Sequence, residues 1–251
     1  MFRPTTVLFI PGAWHSPDCF DAVIKQLEAV NYRTRKVYLP SVNPPNYEIN
    51  YFEADVMQIR AQIEAEIANG SHVLVVVHSY GSLPANEAIR GLDLETRRKE
   101  GLDGGVSHLF FCCSFVIAEG HSLISAFGGK DLPWFMVSDD RLEVHPAGPE
   151  KIFYNDCNES QVTEAVAALR PHSYQTFHRP CTYAAWKTVP STYLYCTQDE
   201  AIPIGVQRLL VEGTAQGYAI RTESLEASHS PFYSQPDGMT AAIQRAAGDN
   251  V

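Results

Sequence analysis

A chain of 251 residues with 45% hydrophobic and 19% charged residues has ordinary globular composition, and its length allows a large buried core. Its formal charge of −10 repels a nucleic-acid duplex or an anionic membrane, so neither is an expected partner. The longest apolar run, LFFCCSFVIA at 109–118, contains a serine and falls well short of the roughly 18 residues that a membrane span needs.

The N-terminal MFRPTTVLFIPG has too short an apolar stretch before Pro11 for a signal-peptide core, and no small-residue cleavage site follows; a cytoplasmic location is expected. TTVLFI at 5–10 reads as a buried strand stopped by Pro11-Gly12. Phe20, Val23, Ile24 and Leu27 recur at helical spacing over 18–30. RTRKVYLP at 33–40 is a second strand, and 41–50 is a Pro- and Asn-rich loop. Val56, Ile59, Ile63 and Ile67 share one face of a helix over 52–68, with Asn69-Gly70 as its stop. SHVLVVV at 71–77 is apolar throughout, as a strand buried on both faces must be. A helix from Ser82 to Gly91 and a strand over 106–116 follow.

Regular alternation fails over 117–190, where one helix (160–170) stands out. It resumes with a strand at 191–196, a helix at 203–216, a strand at 218–224 and a helix from 235 to 246. The expected fold class is α/β: a mostly parallel sheet of about six strands with helices on both faces and an inserted cap. The core comprises 1–116 and 191–251, and the cap 117–190. A cap between two sheet strands has to lie over one edge, and ligands of open α/β sheets bind beyond the carboxyl ends of the strands.

The decisive string is VVVHSYGS at 75–82: a strand that runs into Ser79, with a helix starting at once. A serine hydroxyl becomes a nucleophile when a sharp strand-to-helix turn exposes it and a base stands beside it. Small residues two before and two after the serine let such a turn close. Gly81 meets that need, whereas Val77 departs from it and implies that the next helix stands off slightly. The plainer reading makes Ser79 a helix N-cap. Asp199 in CTQDEAIP and His229 in EASHSPF each follow a strand, in the order Ser, Asp, His that a strand-end triad requires. Asp199 as an N-cap and His229 as a polar loop residue are the plainer readings here. Glu200 and Glu119 are substitute carboxylates. The oxyanion of a tetrahedral intermediate needs donors. The amide of Tyr80 is one; the other should come from the loop PGAWHS, where that of Ala13 is the best candidate and Pro11 has no N–H, the plainer reading being an ordinary strand-to-helix turn.

These strings, together with FIPGAWHSPDCF, resemble the α/β-hydrolase superfamily, and within it the compact branch that includes plant methylesterases and hydroxynitrile lyases. The resemblance covers nearly the whole chain, insertion included. It departs at Pro11, where the branch usually carries His, and at Val77, where it carries Gly. It implies a triad of Ser79, Asp199 and His229 with Ala13 and Tyr80 as oxyanion donors. Ser230 occupies the position where the lyases place a lysine, which counts against cyanohydrin cleavage.

The expected activity is that of a serine esterase or lactonase for a small, apolar or aromatic ester, acting through an acyl-enzyme. Carbon–carbon bond chemistry at the same residues, or a non-catalytic small-molecule receptor, are the alternatives. Trp14, His15, Trp134 and Phe135 are the candidate substrate contacts. His78 is expected to pack behind the turn, and His145, His172 and His178 to be structural or solvated. No HExxH, Walker or GxGxxG pattern is present, so neither cofactor nor metal is expected. The partner is a small-molecule substrate, with a homodimer as a possible assembly. The six cysteines lack CxxC spacing and read as small buried hydrophobes of a reducing compartment. Cys112 and Cys113, adjacent on a strand, are expected on opposite faces. The sequon Asn158-Glu159-Ser160 reads as chance.

Overall fold

In a computed structural model, which describes residues 5–251, the chain opens with β1 (Thr5–Ile10) and enters α1 (Asp21–Ala29) through a 3-10 turn at Pro17–Phe20. β2 (Arg33–Lys36), α2 (Phe52–Ile67), β3 (His72–His78), α3 (Ser82–Ala88), α4 (Leu94–Lys99) and β4 (Gly105–Cys112) follow. An inserted stretch carries α5 (Leu123–Ala126), β5 (Phe135–Val137), β6 (Glu143–Pro146), α6 (Pro149–Ile152), α7 (Glu159–Ala168) and β7 (His172–Ser173). The chain then returns with β8 (Ser191–Cys196), α8 (Ile204–Arg208), β9 (Ile220–Leu225), α9 (Pro231–Ser234) and α10 (Pro236–Ala247).

Six strands form one sheet in the order β2-β1-β3-β4-β8-β9, and every pairing in it is parallel. Parallel strands need crossovers, and these place helices on both faces. The period-2 alternation of the strands divides the core accordingly. Leu8, Ile10, Val75, Val77, Leu109 and Phe111 pack on one side with Ile59 and Ile63 of α2 and Leu83 of α3. Val7, Phe9, Leu74, Val76 and Phe110 pack on the other with Val23 and Leu27 of α1 and Met239 and Ile243 of α10. Each such side chain, fully buried, contributes about 1.5–3 kcal/mol of transfer free energy. The α/β expectation therefore holds, and β1, β3, β8 and α2 lie within a residue of their expected bounds.

Four details differ, each for a local reason. The second strand ends at Lys36 rather than 40: Val37 N–H still reaches the Phe9 carbonyl, and then the chain leaves this sheet edge. The strand expected over 106–116 ends at Cys112, because Cys113 turns to a φ of 45°. Beyond it the Tyr193 hydroxyl replaces the ladder, accepting from Ser114 N–H at 3.1 Å and donating to the Ser114 carbonyl at 2.8 Å. The helix over 203–216 is α8 followed by a wider π-type turn at Leu209–Thr214. The short α4 was not expected; it lacks apolar periodicity and is set by Asp93, whose carboxylate accepts from Thr96 N–H at 2.9 Å.

The inserted stretch builds a three-stranded antiparallel sheet, β5-β6-β7, and more helix than the single expected segment. Asn158 caps α7 and exchanges hydrogen bonds with Gln161, which gives the sequon residue a local structural use.

Candidate active site

The sheet's carboxyl edge collects the polar residues singled out above. β3 delivers Ser79 on a backbone forced to a φ of 48°, a left-handed conformation that a serine adopts only at a cost. The turn is held from three directions. Ser114 Oγ donates to the Ser79 carbonyl at 2.7 Å, and Ser82 Oγ bonds the Phe115 carbonyl at 3.0 Å. On the third side the backbones of the β1 loop and the β3 turn nearly touch. A Cβ on Gly81 would stand 2.3 Å from the Pro11 carbonyl oxygen. One on Gly12 would stand 2.8 Å from His78 Nδ1 and 2.9 Å from Ser79 Cβ. Glycine is thus required at both places by close approach.

Asp199 lies just beyond β8, almost fully buried. Its Oδ1 accepts from the amides of Ala201 and Ile202 at 2.8 Å each, and its Oδ2 lies 2.8 Å from His229 Nδ1. A carboxylate only accepts, so Nδ1 carries the proton and Nε2 is left as the basic nitrogen. Gln207, fully buried on α8, fixes the loop that carries Asp199. Its amide nitrogen donates to the carbonyls of Cys196 (2.9 Å) and Ile202 (2.7 Å), while its oxygen accepts from Cys196 N–H at 3.1 Å.

His229 follows β9, in a loop tied to the inserted stretch: Ser228 Oγ donates to the Phe153 carbonyl at 2.9 Å and Ser228 N–H to Asp156 at 3.0 Å. The Phe153 ring lies 5.5 Å from the imidazole. From below, His78 Nε2–H donates to the His229 carbonyl at 2.9 Å, and the two rings are 4.6 Å apart. Burial pushes the His78 imidazole well below its ordinary range, and the neighbouring His229 and His15 add to the effect. His78 is therefore a neutral spacer that joins the Ser79 turn to the His229 loop. Ser79 and His229 share no hydrogen bond in this arrangement; such contacts are commonly long before substrate binds.

The candidate oxyanion donors flank one cavity. Ala13, Trp14, Ser79 and Tyr80 line it, and the remaining wall is apolar: Phe115, Leu123, Phe127, Leu132, Trp134, Phe135, Phe177, Ala201 and Ile202. It is narrow: about 280 Å³ of empty space, open solvent included, with room for little more than a water molecule, and among the described residues no charged group lines it. The Ala13 amide makes no hydrogen bond to the protein among the described residues. Tyr80 N–H lies in the first turn of a 3-10 segment (Ser79–Gly81), where amides lack an intrahelical acceptor.

Trp14 links loop and insertion. Its φ is 66°, its indole N–H donates to the Val144 carbonyl at 2.8 Å, and its ring lies within 6 Å of those of Trp134, Phe135, Phe153 and Phe177.

Of the four expected substrate contacts, Trp14, Trp134 and Phe135 line this cavity and His15 does not. His15 is buried, its Nδ1–H donating to the Ala13 carbonyl and its Nε2 accepting from the Tyr154 hydroxyl, both at 2.8 Å. Burial pushes its pKa down to about 4 against the opposing pull of the Ala13 carbonyl, and His229 lowers it further. Its ring thus shapes the loop that carries Ala13. Glu119 is ion-paired with Lys187, and Glu200 is exposed, so neither substitutes for Asp199.

The alpha/beta hydrolase family matches residues 7–242. The chain belongs to that family. This alpha/beta hydrolase is 28% identical over 255 residues to the alpha/beta hydrolase nvfD of Aspergillus novofumigatus, covering 100% of this chain and 99% of that protein. Its fold is similar to that of a pyrethroid hydrolase from Sphingobium faniae, with a TM-score of 0.76 and 20% identity over 98% of each chain. It is similar also to polyneuridine aldehyde esterase, with a TM-score of 0.74 and 19% identity over 98% of this chain and 100% of that one. Hydrolysis is the activity that this membership supports. Among the described residues no helix is long and apolar enough to cross a membrane.

Three contributors to the candidate site are not legible in the sequence. Gln207 carries no motif; a lone glutamine in a helical stretch becomes informative only once its burial is known. Phe153 lies in the irregular insertion. Asp55, on α2, is fully buried and accepts from the Tyr80 hydroxyl at 2.8 Å and from Ser41 N–H at 2.9 Å. Burial raises its pKa to about 7, and the bonds from Ser41 and Tyr80 offset only part of that rise. The one available signal was an acidic residue next to Val56 on the apolar face of the helix.

Proposed function

We propose that this alpha/beta hydrolase is a serine esterase or lactonase that cleaves a small, uncharged, largely apolar or aromatic carboxylic ester through an acyl-enzyme on Ser79. The observation that carries this reading is the buried Asp199–His229 hydrogen bond beside the Ser79 turn, all at one sheet edge.

In this mechanism Ser79 Oγ attacks the ester carbonyl while His229 Nε2 takes its proton. Asp199 keeps the proton on Nδ1 and stabilises the imidazolium that forms. The amides of Ala13 and Tyr80 receive the developing oxyanion. In a dry cavity such preorganised donors are worth about 2.7–4 kcal/mol each. His229 then returns the proton to the leaving alcohol, and a water activated by the same nitrogen releases the acid. A lactone follows the same steps, with the alcohol still tethered to the acyl group.

The wall composition supports the substrate class. A carboxylate or ammonium group would lose its hydration there without gaining a partner. The scissile group needs polarity only at the carbonyl, which the two amides meet.

The test is covalent labelling. A fluorophosphonate should add one adduct per chain, at Ser79, and Ser79→Ala should abolish both the adduct and the turnover of short-chain nitrophenyl esters. Labelling that survives in the alanine variant, or a folded enzyme inert to the probe, would remove Ser79 from this role. Labelling without turnover on a broad panel of esters and lactones would favour carbon–carbon bond chemistry at the same residues or a receptor.

A further inference from the structure

Cys112, Cys113 and Cys196 form a group that the hydrolytic mechanism does not use. All three are fully buried, and their sulfurs lie within 4.8 Å of one another, with Cys112 Sγ and Cys113 Sγ 4.0 Å apart. Adjacent residues of a regular strand point to opposite faces, so two such sulfurs should be far apart. The φ of 45° at Cys113 overturns that expectation and turns its side chain back beside that of Cys112. Cys196 arrives from the neighbouring strand. Cys112 pairs with Leu194 across β4 and β8, and Cys196 is two residues beyond Leu194, on the same face. The same Cys113 sulfur belongs to a second group, within 4.8 Å of a carboxylate oxygen of Asp199 and a ring nitrogen of His229.

We propose that Cys112, Cys113 and Cys196 form a capture site for a soft, thiophilic divalent metal ion, and that its occupation switches off the adjoining Asp199–His229 pair. Three convergent sulfurs with no hard oxygen ligand among them select soft ions over magnesium or calcium. Charge decides the stoichiometry. Two thiols lose their protons to solvent, two sulfur–metal bonds form, and a divalent ion on two thiolates leaves no net charge in the buried layer. The third sulfur remains a thiol and gives a weaker contact. A fully ionised three-thiolate site would leave an uncompensated negative charge beside Asp199, which burial opposes. No electron is transferred.

A thiol gives up its proton when it binds a metal ion as thiolate, so uptake releases protons. Closing sulfurs onto one ion draws Cys196 inward. Cys196 heads the loop that carries Asp199, and its backbone is held on both sides by Gln207. Displacing that residue therefore misaligns the carboxylate with His229. Only this inhibitory half rests on the serine-hydrolase reading; capture itself is independent of it.

The experiment uses the full chain carrying Cys157→Ser, because Cys157 is the only cysteine that is not buried and would bind metal by itself. Mercuric ion is added at one equivalent, and the protein is freed of loose metal by gel filtration. Retained mercury, a thiolate-to-mercury absorption band, and protection of the three cysteines from alkylation after denaturation are read beside nitrophenyl-ester turnover. One mercury per chain is expected, with protection at two or three of these positions and at least tenfold lower turnover. Cys196→Ala should weaken retention at least tenfold. Retention unchanged by Cys196→Ala, or no retention by the folded chain, overturns the site. Stoichiometric retention with full turnover overturns the coupling to Asp199–His229. A metal-free enzyme without ester turnover would instead count against the Ser79 reading and leave the retention measurement to decide the site.

Discussion

The two sides of the cavity are built by different means. On the sheet side, Ser79, Asp199 and His229 leave strand ends through tight turns, and their backbones are held by Ser82, Ser114, Gln207 and His78 through directed hydrogen bonds. On the inserted side, Trp134, Phe135, Phe153 and Phe177 surround Trp14 by ring contact, with one indole hydrogen bond. Hydrogen-bonded turns fix angles to within a narrow range. Apolar ring packing fixes volume and tolerates exchange. The sheet side should therefore govern turnover and the inserted side the choice of substrate.

The largest break in that contrast should come from Asp199→Asn. The amide still fits the space, but it removes the charge that holds His229 in its Nδ1–H form. In the proposed mechanism kcat for a nitrophenyl ester should fall by about 10³–10⁴ with KM little changed. A loss below tenfold would show that Asp199 serves as a cap for the loop and not as a partner in proton transfer.

Gly12→Ala should rank second. Its methyl group would enter the space between the β1 loop and the Ser79 turn, where the nearest atoms lie 2.8–2.9 Å away. The loop must shift, and with it the Ala13 amide. A displacement of this kind is worth about 10² in kcat. Steady-state kinetics on purified, folded variant would measure it, and unchanged kcat would remove Ala13 from the oxyanion site.

How much of this was legible follows the same division. The strand-to-helix serine, and the aspartate and histidine beyond later strands, are local signals: each needs a few neighbouring residues and the period of an apolar run. β3 was legible because SHVLVVV is apolar throughout, and α2 because its isoleucines repeat at helical spacing. Gln207, Asp55 and Phe153 were not, since their roles arise from partners 8, 25 and about 75 residues away along the chain. His15 was read as a substrate contact on the ground of its loop. Only the Tyr154 hydroxyl, supplied from the insertion, reveals that its ring is engaged elsewhere. The facing of Cys113 failed for a different reason: strand alternation was extended one residue past the point where the backbone reverses.

On the inserted side, Trp134→Ala should leave turnover of an acetyl ester within about threefold and raise KM for a bulky aryl ester by about tenfold. That corresponds to the 1–3 kcal/mol that such apolar contacts carry. An equal loss for both substrates would place Trp134 with the sheet-side machinery and weaken the distinction between the two walls.

Asp55 gives the smallest effect on turnover and the sharpest on stability. It lies under Tyr80 and forms no ion pair among the described residues, and Asp55→Asn preserves an acceptor for the Tyr80 hydroxyl. Turnover at pH 7.5 should change less than about threefold. The pH dependence of stability should change more. Between pH 3.8, the ordinary value, and about 7, the folded chain keeps a proton on Asp55 that the unfolded chain has released, so the Asp55 contribution falls as pH rises. His15 works in the opposite sense. Below its ordinary value of 6.5 and down to about 4, the unfolded chain binds a proton that the folded chain refuses, so that contribution grows with pH. Urea denaturation of both proteins at pH 4.5, 6 and 8 separates the two. The variant loses the Asp55 term and should gain stability relative to the parent, by a few kcal/mol, as pH rises from 4.5 to 8. The offset at any single pH includes the lost acceptor for Ser41; the slope does not, and parallel curves would show that Asp55 is ionised throughout.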